Sequence, residues 1–186
     1  PDYFDALNNL GATYNLYKDY SNALKSISKA LNIRPNIADA YNNLGTAELN
    51  LENESEAIKS YNKAIKIDPK FVLAYSNLCG LYERSNKLEK LKETLNKAEN
   101  QGLSGNEEIK FRRGQLNSRN KDYKNSTLCL EEVDDTKISN KMKIDKYELL
   151  GKDYDKIKHY KKAFNCFKKS NSLVSLSVES QLYNPK

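Results

Sequence analysis

The sequence has few of the residues that metal and cofactor sites need. It has no tryptophan, and its single histidine, His159, rules out every metal motif built on two imidazoles. Its cysteines, Cys79, Cys129 and Cys166, are odd in number and widely separated, which fits neither a disulfide framework nor a close pair of thiolate ligands. We therefore expect a reducing, cytoplasmic environment and no cofactor.

Long apolar runs are also missing. No stretch of about 18 apolar residues could cross a membrane, and the first residues lack the basic and then apolar pattern of a signal peptide. Only 38% of the residues are hydrophobic and 30% are charged, which is typical of a soluble helical protein. The sequence therefore predicts a cytoplasmic protein with no membrane partner.

Catalytic motifs are equally scarce. There is no glycine-rich phosphate loop and no Gly-x-Ser-x-Gly elbow. His159 precedes Cys166 by two helical turns, but Cys166 lies beside Phe164 and Phe167, where a free cysteine is usually inert packing. We therefore predict no catalytic residues, no metal site and no enzyme activity in this chain.

The sequence does contain an internal repeat. Asn8-Asn9-Leu10-Gly11 recurs as Asn42-Asn43-Leu44-Gly45, and Ser76-Asn77-Leu78-Cys79 follows after the same step in residue number. That step also separates Ala23 from Ala57, Ala30 from Ala64, and Pro35 from Pro69. A constant period of this length is the signature of a solenoid of stacked units.

Each unit contains two amphipathic helices. In the first unit, apolar or small residues from Leu7 to Tyr14 fall on one helix face, and a second stripe runs from Tyr20 to Leu31. Neither helix can bury its stripe alone, so each pair must stack on the next. The predicted helices span residues 4–17, 20–33, 38–51, 54–67, 72–85, 88–100, 106–119, 122–133, 141–155 and 160–173, with a possible capping helix near 174–183.

The later units keep this pattern with small insertions. The place of Gly11 is taken by Gly45, Cys79, Gly114 and Gly151, and the last two steps are slightly longer than the first two. We therefore predict an all-α, right-handed solenoid of about five helix-turn-helix units in a single domain over residues 1–186. Its repeats would span residues 4–37, 38–71, 72–106, 107–143 and 144–177, with a C-terminal cap over 174–186.

This pattern resembles the tetratricopeptide repeat (TPR). Leucine and glycine, then tyrosine, alanine, an aromatic or aliphatic residue, alanine and proline follow its order closely over residues 4–71 and more loosely afterwards. The resemblance implies a module that binds a partner polypeptide in a concave groove lined by the first helix of each unit. Carried over place by place, the groove residues are Asn8, Asn9, Asn15, Asn42, Asn43, Thr46, Ser76, Asn77, Phe111, Arg112, Gln115, Arg119, Glu148, Lys152 and Lys156.

Asn9, Asn43 and Asn77 recur at the strict repeat step within this groove. A carboxamide can pair with both the C=O and the N–H of an extended peptide. The three residues resemble the asparagine ladder in the repeat domain of O-GlcNAc transferase, which implies that they grip a peptide main chain. The alternative is that asparagine is common in this sequence and tolerated on an exposed helix face.

Charged groups at the groove places are the basis for the choice among charged ligands. The carboxylate clamp of chaperone-binding repeats needs cations at places that here hold Asn8, Ala12, Asn43, Leu73 and Asn77, so we exclude that partner. Residues 1–100 carry 13 Lys/Arg and 13 Asp/Glu, whereas residues 101–186 carry 18 and 12. The group Arg112, Arg113 and Arg119 beside Phe111 either binds an acidic segment or forms a solvated face. Because the lysines of the last helix interleave with its apolar stripe, we predict no nucleic-acid partner.

The C-terminal segment carries a second resemblance. Leu150-Gly151-Lys152-Asp153-Tyr154, residues 160–164, Asn171-Ser172-Leu173 and Leu182-Tyr183-Asn184-Pro185 resemble the last repeat and exit helix that precede the catalytic domain of bacterial TPR-sulfotransferase proteins. This implies an alternative function, a substrate-recruiting repeat domain with catalysis outside this chain. A third possibility is a homo-oligomer formed through the terminal repeats.

Overall fold

A computed structural model of the chain describes the backbone of residues 3–182 and the side chains of residues 3–176. Within this part of the chain there are ten α-helices, one short 3-10 helix and no strand. The chain divides into two compact units, an N-terminal unit, Pro1–Leu103, and a C-terminal unit, Ser104–Lys186. The predicted all-α solenoid class is confirmed.

The N-terminal unit consists of three consecutive helix pairs. They are α1 (Tyr3–Leu16) with α2 (Tyr20–Ile33), α3 (Ala38–Asn50) with α4 (Glu54–Ile67), and α5 (Val72–Arg84) with α6 (Leu88–Asn100). The C-terminal unit contains two pairs, α7 (Glu107–Arg119) with α8 (Tyr123–Glu131) and α9 (Asn140–Lys156) with α10 (Tyr160–Leu182), and the 3-10 helix Asp135–Lys137 joins them.

The predicted helix ends agree with the structure to within two residues, with one exception. Helix α10 does not end at residue 173 but continues to Leu182, so residues 174–182 belong to it and not to a separate capping helix. The physical reason is that residues 160–182 contain neither glycine nor proline to interrupt the backbone. The end of the predicted cap, residues 183–186, lies outside the described residues.

The turn inside each helix pair has the same backbone geometry in all five pairs. One residue adopts a positive φ of 53° to 64°, and the next N–H donates to a carbonyl five residues before it at 2.8 to 2.9 Å. This hydrogen bond closes the first helix as in a Schellman motif. None of the five positive-φ residues is glycine, and only one is asparagine. The residue types that usually mark this motif in a sequence are therefore missing from four of the five turns. They are Lys18, Glu52, Asn86, Lys121 and Lys158.

The recurring glycine allows the two helices of a pair to approach closely. A Cβ on any of the four glycines at this place of the repeat would lie 2.3 to 2.8 Å from a large side chain of the second helix. The third pair has Cys79 at this place, fully buried, and the equally buried Leu95 stands at the matching place of α6. Each pair therefore places a small residue of its first helix against a large residue of its second helix. The glycine contacts are Gly11 with Ile27, Gly45 with Tyr61, Gly114 with Leu130, and Gly151 with Phe167.

Between consecutive pairs of the N-terminal unit, alanine is the small residue that allows close approach of the helices. Ala40 and Ala47 of α3 are completely buried in a cluster with Ala23, Ile27 and Ala30 of α2. Small side chains at these places let neighbouring helix backbones lie close together. Helix α3 is thereby packed against α2, and Asn43 on another side of α3 remains partly exposed.

Candidate peptide-binding surface

The structure divides the predicted groove residues of the N-terminal unit into two sets. Asn9 on α1 is exposed, and Asn43 on α3 and Asn77 on α5 are partly exposed. Asn8 and Asn42, one residue earlier, are buried, as is Ser76. The expectation that Asn8, Asn42 and Ser76 line a solvent-facing groove is therefore corrected, because neighbouring helices cover these side chains.

The buried asparagines form hydrogen bonds between consecutive repeats. The Asn43 Nδ2 donates to the Asn8 Oδ1 at 3.3 Å, and the Asn77 Nδ2 donates to the Asn42 Oδ1 at 2.9 Å. The two bonds have the same spacing along the chain, so the Asn-Asn pair in one repeat provides an acceptor for the next. The recurring asparagine is thus also a structural link.

This link leaves one side of each amide available. Among the described residues, none donates a hydrogen bond to the Oδ1 of Asn43 or of Asn77, and the Asn9 side chain has no hydrogen bond at all. Because the amide nitrogens of Asn43 and Asn77 are held by the preceding repeat, the amide planes have a fixed orientation. We call Asn9, Asn43 and Asn77 the asparagine surface.

Two further side chains lie beside the asparagine surface: Asp39, which is not among the predicted groove residues, and Leu73, which was considered only as a place without a clamp cation. The exposed Asp39 accepts hydrogen bonds from the Nδ2 of Asn8 at 2.7 Å and from the Nδ2 of Asn43 at 3.2 Å. Leu73 stands at the equivalent place of the next repeat and is about half exposed, one helical turn before Asn77. The repeat step itself could have identified both positions.

Thr46 and Asn15 are engaged within the N-terminal unit. The Thr46 hydroxyl donates to the Asn42 carbonyl at 3.1 Å and lies 3.4 Å from the Tyr61 hydroxyl. The Asn15 Nδ2 donates to the Asn43 carbonyl at 2.9 Å, while the Asn15 Oδ1 is buried without a partner in the described part of the chain. Both residues support α3 more directly than they offer groups to a ligand.

The predicted groove residues of the C-terminal unit behave differently. Phe111 is buried in the core of that unit, so the expectation that it lines a groove is corrected. The Arg112 Nη1 donates to the Gln115 Oε1 at 2.8 Å, which occupies part of its guanidinium fork. The remaining predicted residues, Arg119, Glu148, Lys152 and Lys156, are exposed.

A partly buried ionic cluster joins the two helix pairs of the C-terminal unit. The carboxylate of Asp135 accepts hydrogen bonds from the Nζ of Lys146 at 2.8 Å, the hydroxyl of Tyr147 at 2.5 Å and the Nζ of Lys169 at 2.9 Å. Lys146 is buried and also donates to the Val133 carbonyl at 2.6 Å. Burial alone would raise the pKa of Asp135, but its three donors hold that pKa well below its usual range.

A second, more exposed cluster lies one heptad along the same two helices. The Tyr154 hydroxyl donates to Glu131, and the Lys162 Nζ lies 3.2 Å from Glu131 and 3.1 Å from the Tyr154 hydroxyl. The hydrogen bond from Tyr154 lowers the pKa of Glu131, with a further contribution from Lys162. The Glu131 cluster holds α9 and α10 on the end of α8, and the Asp135 cluster holds them on the 3-10 helix.

Asp153 is the third carboxylate between these pairs. It is buried and accepts hydrogen bonds from the hydroxyls of Ser118 at 2.7 Å and Ser126 at 2.6 Å. Burial raises the pKa of Asp153, and the two serine donors only partly oppose this effect. No cation reaches this carboxylate within hydrogen-bond distance among the described residues. Its role is to accept hydrogen bonds from the two hydroxyl groups and so tie α9 to α7 and α8.

The side chains with catalytic or metal-binding potential remain dispersed. Burial raises the pKa of the Cys166 thiol, which opposes formation of the nucleophilic thiolate. His159 stacks on Tyr154 with a centroid separation of 6.0 Å. Among the described residues no three His, Cys, Asp or Glu side chains lie close enough to hold a metal ion.

None of the described helices combines the length and apolar composition needed to cross a lipid bilayer.

Comparisons with known proteins agree with this architecture. Models of the tetratricopeptide repeat match residues 4–37 and 38–71. Structural matches include a structure from the functional characterization of Pseudomonas aeruginosa PilF, with a TM-score of 0.76, 19% identity, and coverage of 90% of this chain and 76% of that one. No curated protein matches the sequence.

Two further solved structures share the fold at similarly low identity. The APC/C hetero-tetramer Cut9-Hcn1 gives a TM-score of 0.83 at 17% identity, covering 92% of this chain and 34% of that one. MamA from Desulfovibrio magneticus RS-1 gives 0.67 at 14%, covering 97% and 98%. These matches give no support to the sulfotransferase resemblance, which stays a prediction. The constant repeat period, the fixed hairpin turns and the two matching family models together show that residues 4–71 are two tetratricopeptide repeats within an all-α solenoid.

Proposed function

We propose that the N-terminal unit is a protein-interaction module that binds an extended peptide segment across the asparagine surface. The observation that supports this most directly is the fixed orientation of Asn43 and Asn77. Their amide nitrogens are bonded to the preceding repeat, and their Oδ1 atoms accept no hydrogen bond from the described residues. Oriented acceptors recurring with the repeat suit the N–H groups of a peptide main chain.

Side chains next to the asparagine surface add a preference for certain peptides. Asp39 is exposed and anionic, whereas Leu73 offers an apolar contact at the equivalent place of the next repeat. A segment with a basic residue near Asp39 and an apolar residue near Leu73 therefore fits best. Main-chain contacts supply affinity in this arrangement, and these two side chains supply selectivity.

Peptides selected from a random displayed library against the full chain provide the probe. Each selected peptide is then synthesised in two forms, one natural and one with N-methyl groups on alternate backbone nitrogens. The natural form should bind. N-methylation should abolish binding because it removes the backbone N–H groups that donate hydrogen bonds to the asparagine Oδ1 atoms. Equal binding of the two forms would contradict main-chain recognition.

Alanine substitutions locate the contact on the protein. Asn9→Ala should weaken binding about 5-fold, and the triple variant Asn9→Ala, Asn43→Ala, Asn77→Ala about 100-fold, at roughly 1 kcal/mol for each hydrogen bond. Asn9 has no side-chain hydrogen bond within the described part of the chain, so its substitution leaves the fold intact. The matched control is Asn32→Ala with Asn36→Ala, two exposed asparagines outside the surface, which should bind as the wild type does.

A further inference from the structure

Two exposed helix faces carry apolar side chains. One is on α1, in the first repeat, and the other is on α10, in the last. On α1, Tyr3 is 71% and Leu10 is 43% exposed. On α10, Tyr160 is 62%, Phe164 68% and Phe167 38% exposed. Each set falls on one side of its helix at spacings of seven or of four and three residues. We call these the α1 face and the α10 face.

The α1 face is equivalent to a face that is covered in the following repeats. Leu10, Leu44 and Leu78 occupy one place in the repeat, and Leu78 is only 2% exposed. Leu44 packs against a cluster of buried residues from α1, α2 and α3. In the second and third repeats, which follow another helix pair, this place is therefore covered at least in part.

The α10 face is the matching half of the same interface. Phe164 stands at the place of Leu24 in α2 and Ile58 in α4, which are both partly covered. Leu24 contacts the cluster that contains Ala40 and Ala47 of the next helix. At the corresponding place α6 carries the exposed Lys92, so an apolar residue is not required here by the helix itself.

The two faces also match in side-chain size. Between α2 and α3, Leu24 packs against the cluster that contains the small residues Ala40 and Ala47. The α1 face carries Ala6 and Thr13 at the places of these two alanines, and both are exposed. The aromatic side chains of the α10 face would thus meet small residues flanked by Tyr3 and Leu10, as in the internal interface.

We propose that a second copy of this chain covers the α10 face with its α1 face, so that copies associate head to tail. Pairing of two α10 faces is disfavoured, because the exposed Lys161 and Lys168 flank this face and would meet their own copies. Helix α1 carries a single charged residue, Asp5. A heterologous contact of this kind extends into rings or chains of copies.

This inference is independent of the proposed peptide site. The asparagine surface lies on a different side of α1, where Asn9 is one position from Leu10 and therefore about 100° around the helix. Loss of peptide binding would leave association unchanged, and loss of association would leave peptide binding to the N-terminal unit unchanged.

Sedimentation velocity over a wide concentration range tests the proposal with the 186-residue chain. The weight-average mass of the wild type should rise with concentration above the monomer mass of 21.3 kDa. Leu10→Glu on the α1 face and Phe164→Glu on the α10 face should each remain monomeric. Both side chains are exposed, so neither substitution disturbs the core.

An equimolar mixture of the two variants separates head-to-tail association from other arrangements. Each variant keeps one intact face, so the mixture should form a dimer of twice the monomer mass and nothing larger. The control variants Asn165→Glu on α10 and Ser21→Glu on α2 add the same charge at exposed positions outside both faces and should associate as the wild type does.

Three outcomes would overturn the proposal. A wild type that stays monomeric at all concentrations shows that no second copy covers these faces. Association that is lost with Phe164→Glu but kept with Leu10→Glu shows symmetric pairing of α10. A mixture that stays monomeric, although each variant retains the helical circular-dichroism spectrum of the wild type, shows that the two faces do not meet.

Discussion

In the N-terminal unit, asparagine amides join consecutive helix pairs and the exposed carboxylate of Asp39 is one of their acceptors, whereas three carboxylates with ammonium, phenolic and hydroxyl donors do so in the C-terminal unit. The Asn8–Asn43 and Asn42–Asn77 hydrogen bonds link the first three pairs. In the C-terminal unit the link consists of Asp135, Asp153 and Glu131 with their donors. The N-terminal unit also has an ion pair between repeats, Lys87 with Glu54, but it lies at the surface.

This difference follows from the sequence of the connections. The N-terminal repeats are joined by short segments with Pro35 and Pro69, and their alanine-rich contacts leave only narrow space between helices. The longer connection after α8 places the carboxylate of Asp135 against α9 and α10. The same stacking of pairs is therefore compatible with either chemistry, and the two units should respond differently to acid and salt.

The largest effect is expected from Asp135→Asn. This substitution leaves the buried ammonium group of Lys146 without its anion, which should cost about 3–5 kcal/mol of the free energy of unfolding. Hydrogen exchange followed by mass spectrometry should show lost protection in α9 and α10 and unchanged protection in α1 to α5. The control Asp145→Asn changes an exposed carboxylate on α9 and should stay within about 0.5 kcal/mol of the wild type.

The ionisation of Asp135 also determines how we expect acid to change the stability of the C-terminal unit. The pKa of Asp135 is lower in the folded than in the unfolded chain, so its stabilisation is complete above the unfolded value of about 4 and is lost as the pH falls through the folded value. The raised pKa of Asp153 acts in the opposite direction, since ionisation of that buried group opposes folding. Urea unfolding between pH 5 and 2.5 should show a smaller acid-induced loss in Asp135→Asn than in the wild type. An equal loss would mean that other carboxylates control the acid response.

A smaller effect is expected from Asn42→Ala in the N-terminal unit. The substitution removes the acceptor of the Asn77 Nδ2 and should cost about 1–2 kcal/mol. Because no charge is involved, the cost should be the same at pH 5 and at pH 2.5. Urea midpoints at the two pH values measure it, with the exposed Asn36→Ala as the control. A cost that changes with pH would show that the neutral link is coupled to Asp39.

The sequence revealed the helices far better than it revealed what links them. Helix positions follow from the period of apolar residues and from the small residue at the place of Gly11, which the contact with Ile27 explains. The period also identified Asn9, Asn43 and Asn77. It could not show that Asn8 and Asn42 turn inward, because their direction depends on the neighbouring repeat. The burial of Phe111 and the contacts of Asp135 likewise depend on tertiary packing, which the period of apolar residues does not reveal.

The smallest effect is expected from the exposed cluster of Glu131, Tyr154 and Lys162. About half of the Glu131 and Lys162 side chains is exposed, so salt should screen their attraction. We expect molar NaCl to lower the unfolding midpoint of the wild type slightly, by less than Asn42→Ala does. Lys162→Gln should lower the midpoint at low salt and remove most of the remaining salt dependence. If salt lowers the midpoint of Lys162→Gln as much as that of the wild type, the screened interaction lies elsewhere, and the Glu54–Lys87 pair of the N-terminal unit is the next to test, through Lys87→Gln.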